Sequence, residues 1–131
     1  MRSIFLCLFL MLGSVSFTFS QCAIYVCTET GAWAASYQDG TPPFLNMTDT
    51  KKQAYDECVK SGGRNCTFFY SAECNKCWWA FIIGYDDTSF NYMANYSYIS
   101  QEDAVKTLKE AYKANGGVGY YSAKVTTWYM P

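Results

Sequence analysis

The sequence predicts an α+β domain stabilised by disulfides, in which two strand-strand-helix-strand repeats form an antiparallel sheet with two helices on one face. Three observations lead there: an export-type amino terminus, six cysteines beyond it, and a spacing pattern that occurs twice along the chain.

The amino terminus is read first because it sets the compartment. Arg2 gives a positive start, Ile4 to Leu12 a short apolar core, and the more polar run 13–20 places Thr18 and Ser20 at the two positions a signal peptidase reads before Gln21. Residues 1–20 are expected to be a cleaved signal peptide, and 21–131 a single secreted or periplasmic domain. A membrane anchor is the competing reading. The apolar core falls well short of the ~20 residues of a spanning helix, and Ser14, Ser16, Thr18 and Ser20 interrupt the stretch after it. A lipid anchor on Cys22 is disfavoured by the bulky Gln21 before it. No stable membrane insertion is expected after cleavage.

Cleavage also removes Cys7. The remaining cysteines are Cys22, Cys27, Cys58, Cys66, Cys74 and Cys77, an even number in an oxidising compartment, for which three disulfides are the default.

The first repeat covers about 22–72. Ala23 to Cys27, the turn Thr28 to Gly31, and Trp33 to Tyr37 read as a hairpin. A loop from Asp39 to Met47, holding Pro42 and Pro43, leads to a helix whose start is marked by Thr50-Lys-Lys-Gln53, a hydroxyl three residues before a side chain able to reach back. Ala54, Tyr55, Cys58 and Val59 follow helical spacing, Gly62-Gly63 ends the helix, and Cys66 to Ser71 is the next strand.

The second repeat covers about 76–128. Trp78 to Gly84, the turn Asp86 to Ser89, and Tyr92 to Tyr96 form another hairpin. Ser100-Gln-Glu-Asp103 marks a helix with Ala104, Val105, Leu108, Ala111 and Tyr112 on its buried face. That helix ends at Gly116-Gly117, ahead of a strand in Val118 to Trp128. Counted from these caps, the second helix is one turn longer than the first. The spacing Cys58-x3-Gly62-Gly63-x2-Cys66 matches Tyr112-x3-Gly116-Gly117-x2-Tyr120 residue for residue.

Cys58 and Cys66 are thus both replaced by Tyr in the second copy, as expected of two residues that bond to each other across the helix-ending turn. The other four stay open. If Cys22 to Cys27 is an extended strand, five steps of ~3.3 Å separate them by about 16 Å, too far for a bond. Cys74 and Cys77 flank Asn75-Lys76 and either bond locally or reach back to the amino-terminal pair.

The frame Gly31-Ala-Trp33-Ala-Ala-Ser36, then Ala54-x3-Cys58-x3-Gly62-Gly63-x2-Cys66, then Cys74 or Cys77 ahead of Ala80, resembles a family of small exported, mostly bacterial, cysteine-containing domains of unknown function. The resemblance covers residues 22–85. Family members repeat an Ala-x3-Cys unit near the carboxyl end, where this chain has Leu108, Tyr112 and Tyr120 instead. The resemblance implies no active site.

Charge and side-chain chemistry narrow the function. Without Arg2, nine basic residues face eleven acidic ones with no run of either sign, which argues against nucleic acid and anionic membrane surfaces. No histidine is present, so the familiar triads lack their base. Twelve Tyr and four Trp exceed what so small a domain is expected to bury, and Trp33, Tyr37, Trp78, Trp79, Tyr92 and Tyr96 are the candidate binding residues. No cofactor and no metal are called for: C-x2-C alone is a weak zinc signal, and oxidation competes with thiolate binding. The expected function is binding of an extracellular partner protein or a glycan. The alternatives are a small hydrolase using Asp86, Asp87, Glu29, Asp39 or Glu73, and a thiol oxidoreductase using Cys74 and Cys77.

Overall fold

The computed structural model describes residues 21–37 and 46–131; the expected signal peptide, Asp39 and the Pro42-Pro43 loop lie outside them. Six strands and two α-helices follow in the order β1 (Gln21–Val26), β2 (Trp33–Tyr37), α1 (Met47–Lys60), β3 (Thr67–Glu73), β4 (Cys77–Tyr85), β5 (Phe90–Ser97), α2 (Gln101–Ala114) and β6 (Lys124–Met130), with a 3-10 turn at Tyr120–Ser122. The α+β class is as expected.

The arrangement differs from expectation: there are two three-stranded antiparallel sheets, ordered β2-β1-β3 and β5-β4-β6. In each, the first strand in sequence is the central one. Alternation along the central strands explains why. Cys22, Ile24 and Val26 on β1 share one buried cluster with Cys77, Trp79 and Phe81 on β4, so these faces oppose each other. The intervening residues Ala80 and Ile82 turn to Ala104, Leu108 and Tyr112 of α2, while Tyr25 and Ala34 turn to Cys58 of α1. A sheet with two buried faces needs cover on both, and here each receives a helix outside and the other sheet inside. The helices therefore lie on opposite outer faces, not together on one.

The layer between the sheets is aromatic. Trp33 stacks on Phe81 at 4.3 Å between centroids, and Trp79 lies parallel to Trp128 at 5.9 Å. Phe69 meets Phe81 and Tyr92, and Tyr70 meets Trp79. A register shift between Ile24 and Tyr25 in the β1–β3 pairing lets the consecutive Phe69 and Tyr70 both turn inward. In this layer Trp79 and Phe81 are fully buried, each contributing about 1.5–3 kcal/mol.

Both helices have 14 residues, so the expected extra turn is absent. Ser100 caps α2 as predicted, accepting from the Asp103 N–H at 3.0 Å. For α1 the cap is Asn46, one turn before the predicted Thr50, and it accepts from the Asp49 N–H at 2.8 Å. Thr50 is instead fully buried, its hydroxyl donating to the Asn46 carbonyl at 3.0 Å. The two helices end alike. Gly62 N–H bonds the Val59 carbonyl and Gly63 N–H that of Cys58; Gly116 bonds Lys113 and Gly117 bonds Tyr112. Gly62 and Gly116 have φ of +96° and +71°, the left-handed conformation this ending requires. After α2 the chain turns through the 3-10 segment, so β6 begins at Lys124 and not at Val118.

Candidate functional site

The open side of the inter-sheet layer, along the edges of β2 and β6, forms a groove of about 300 Å³. Pairing fixes its walls. Trp33, Ala35 and Tyr37 stand opposite Val26, Ile24 and Cys22, so they point into the layer between the sheets. On β6, Thr126 and Trp128 stand opposite Phe81 and Trp79 and point into the same layer. Trp33 and Trp128 lie nearly parallel, with centroids 6.4 Å apart and planes inclined by 23°. Tyr37, 47% exposed, extends the aromatic wall outward. Glu57 and Ser61, from the end of α1, supply polar groups at the rim.

These polar groups have local partners. Ser61 donates to the Glu57 carbonyl at 2.9 Å, and the Glu57 carboxylate is 3.5 Å from the Lys60 ammonium. Thr127 turns the other way and accepts from Gln101 Nε2 at 2.8 Å, tying β6 to the first turn of α2. The groove thus combines rigid ring faces, hydroxyls and one carboxylate. A larger depression of about 550 Å³ runs along α2, but Glu102, Lys106, Lys109 and Glu110 dominate its walls, and such long chains on the solvent face fix no ligand geometry.

Of the six binding residues expected from the sequence, Trp33 and Tyr37 come together here. Trp79 is fully buried beneath Trp128, so it shapes the floor of the aromatic layer and touches no ligand. Tyr92 is half-buried and its hydroxyl donates to the Cys27 carbonyl at 2.8 Å, binding one sheet to the other. Trp78 is partly buried on the α2 side of β4, beside Tyr129 at 5.2 Å, and Tyr96 sits between Trp79 and Tyr98. Trp128, Thr126, Glu57 and Ser61 were not singled out in the sequence. The alternation Thr126, Trp128, Met130 is the signal that would have found the first two.

Of the carboxylates considered for hydrolysis, Asp39 lies outside the described residues, and the others sit in turns or at a strand end. Asp86 accepts from the Thr88 N–H, the Thr88 hydroxyl and the Ser89 N–H, each at 2.8 Å, which holds its carboxyl below the usual range and makes it a turn former. Glu73 pairs with Gln21 at one end of β1, whereas Glu29 lies beyond the other end. Cys74 and Cys77 are at disulfide distance, with sulfurs 1.93 Å and Cα atoms 6.2 Å apart. Both are buried, in the turn joining β3 to β4, and Trp79 Nε1 donates to the Cys74 sulfur at 3.2 Å. That setting is a staple at the turn between the two sheets.

The other four thiols are unbonded and buried. Cys22 lies in the inter-sheet layer, where burial pushes its thiol up to about 12 against a smaller opposing effect of Trp128. Cys27, Cys58 and Cys66 form a separate cluster under α1. Among the described residues no group of His, Cys, Asp and Glu side chains is arranged to hold a metal ion.

The fold and groove define a class: a small helix-sheet-sheet-helix sandwich with an aromatic slot opening between two edge strands. No family model, curated protein or solved structure matches the chain.

Proposed function

We propose that this protein is an exported binding domain that takes a carbohydrate in the groove between β2 and β6. The observation that carries the reading is the meeting of Trp33, Tyr37 and Trp128 with the Thr126 and Ser61 hydroxyls and the Glu57 carboxylate in one open slot. Aromatic faces cover the apolar C–H faces of a sugar ring, while hydroxyl and carboxylate oxygens at the rim take its O–H groups. A volume of about 300 Å³ suits one or two rings of a longer chain, and a groove open along its length allows the rest to pass.

Among the described residues no helix is long and apolar enough to cross a membrane. Export itself rests on the amino-terminal sequence and on the buried Cys74–Cys77 pair, which is at home in an oxidising compartment.

A glycan array followed by calorimetry tests the proposal. Tyr37→Ala and Glu57→Gln alter exposed side chains that the core does not need, and each is expected to weaken binding about tenfold, equivalent to ~1.4 kcal/mol. An array with no hits, or a hit whose affinity ignores both substitutions, overturns the site. Capture of an extended peptide that is lost in the same variants would instead assign the slot to strand addition at the β2 or β6 edge.

A further inference from the structure

The faces of β1 sort the cysteines beyond the leader into two groups of three. Cys22 points into the inter-sheet layer with Cys74 and Cys77. Cys27, just past the other end of β1, lies with Cys58 and Cys66 beneath α1. Cys58 comes from the last turn of α1 and Cys66 from the start of the chain toward β3, and the Schellman ending folds one over the other. Gly63 sits directly above both sulfurs; a Cβ there would overlap the Cys66 sulfur and come 3.1 Å from that of Cys58. The third sulfur, Cys27, donates to the Arg64 carbonyl at 2.8 Å in the same turn.

Three disulfides cannot be drawn on this arrangement. With Cys74 bonded to Cys77, Cys22 has no partner within its group, and β1 holds it about 16 Å from Cys27, beyond the reach of a disulfide. We infer that Cys27, Cys58 and Cys66 form a thiol-disulfide exchange site that holds one bridge, Cys58–Cys66, with Cys27 retained beside it as the attacking thiol. A low-molecular-weight disulfide, RSSR, closes the bridge: both thiols give up their protons, the Cys58–Cys66 S–S bond forms, and two RSH leave. In the exchange step the Cys27 thiolate attacks the Cys58 sulfur, a Cys27–Cys58 bond forms, the Cys58–Cys66 bond breaks, and the Cys66 thiolate takes the proton that Cys27 gave up.

The surroundings assign the roles. The Thr30 hydroxyl, aided by backbone N–H groups of the β1–β2 turn, draws the Cys27 thiol below its ordinary range, while burial pushes Cys58 up to about 12. A lowered thiol is the attacking group in exchange, and a raised one favours the bonded state. Cys27 and Cys58 are both fully buried, in one cluster with Cys66.

The test is thiol mapping of the full chain as exported by a bacterial host, alkylated with iodoacetamide in denaturant without reductant and digested for mass spectrometry. Bridges Cys58–Cys66 and Cys74–Cys77 with alkylated Cys22 and Cys27 are expected. Any other connectivity, or alkylation of both Cys58 and Cys66, overturns the assignment. Cys66→Ser then reads the exchange: the bridge is expected to move to Cys27–Cys58, leaving only Cys22 alkylated. Alkylation of Cys27 and Cys58 together in that variant would show that Cys27 is out of reach and overturn the exchange step.

Discussion

Single glycines carry more of this structure than their size suggests. Gly84, in the central strand β4, lies against the Tyr112 hydroxyl and the Val118 carbonyl, which are themselves hydrogen-bonded to each other. A methyl group there has to displace both a buried ring and a backbone carbonyl. Gly84→Ala is therefore expected to cost about 1–3 kcal/mol, the range for overpacking a filled core. A fall in the urea midpoint with an unchanged slope would show it. Gly63 and Gly117 occupy the matching place in the two helix endings, one above sulfurs and the other against the Tyr112 ring. This much was legible in the sequence, because the two Gly-Gly pairs stand at equal distance from Cys58 and Tyr112. The role of Gly84 was not, since nothing in a strand's own sequence announces a tyrosine arriving from a distant helix.

At the scale of elements, the helix signals were read correctly at one end of the chain and a turn late at the other. Ser100 is both a good cap by sequence and the cap in the structure. Its loss in Ser100→Ala leaves the Asp103 N–H without its partner and is expected to lower stability by about 1 kcal/mol. Thermal unfolding followed by circular dichroism measures this directly. For α1, Thr50-x-x-Gln53 and Asn46-x-x-Asp49 both satisfy the local rule, and only burial decides between them: Thr50 is needed inside, against the sheet, so the helix has to begin earlier. The central place of β4 was missed, since Trp78 to Gly84 was read only as one strand of a hairpin. The unbroken apolar run from Trp78 to Ile83 requires cover on both faces, and β4 has it.

The number of sheets belongs to the whole molecule and was not legible. Alternation tells which residues share a face but not which strand lies alongside, and two helices of equal length fit one wide sheet as well as two narrow ones. The same limit applies to the groove, whose walls come from β2 and β6 at opposite ends of the chain. The aromatic layer between the sheets also sets how the molecule responds to alkali. Burial raises Tyr92 to about 12, with Cys27 adding to the effect, and it raises Tyr70 and Tyr112 as well. Below the ordinary tyrosine value of 10.0 these hydroxyls are protonated in both states, and their contribution is fully present. As pH rises from there toward about 12, the unfolded chain ionises first and the folded state loses that advantage. Stability is expected to drop from about pH 10 to about pH 12, and less steeply in Tyr92→Phe, as read from denaturant midpoints across that range.

The turn between β3 and β4 has a further consequence. Among the described residues, each strand pairing is made within 21–73 or within 77–130, and Cys74-Asn75-Lys76 joins the two halves. Such a connection is the usual hinge for domain swapping, in which one molecule lends a half to another. Extended, three steps would span ~10 Å. With the Cys74–Cys77 pair closed, the Cα atoms stay 6.2 Å apart and the chain is bent back on itself. The staple is therefore expected to disfavour the opened hinge that a swap of halves between two chains requires.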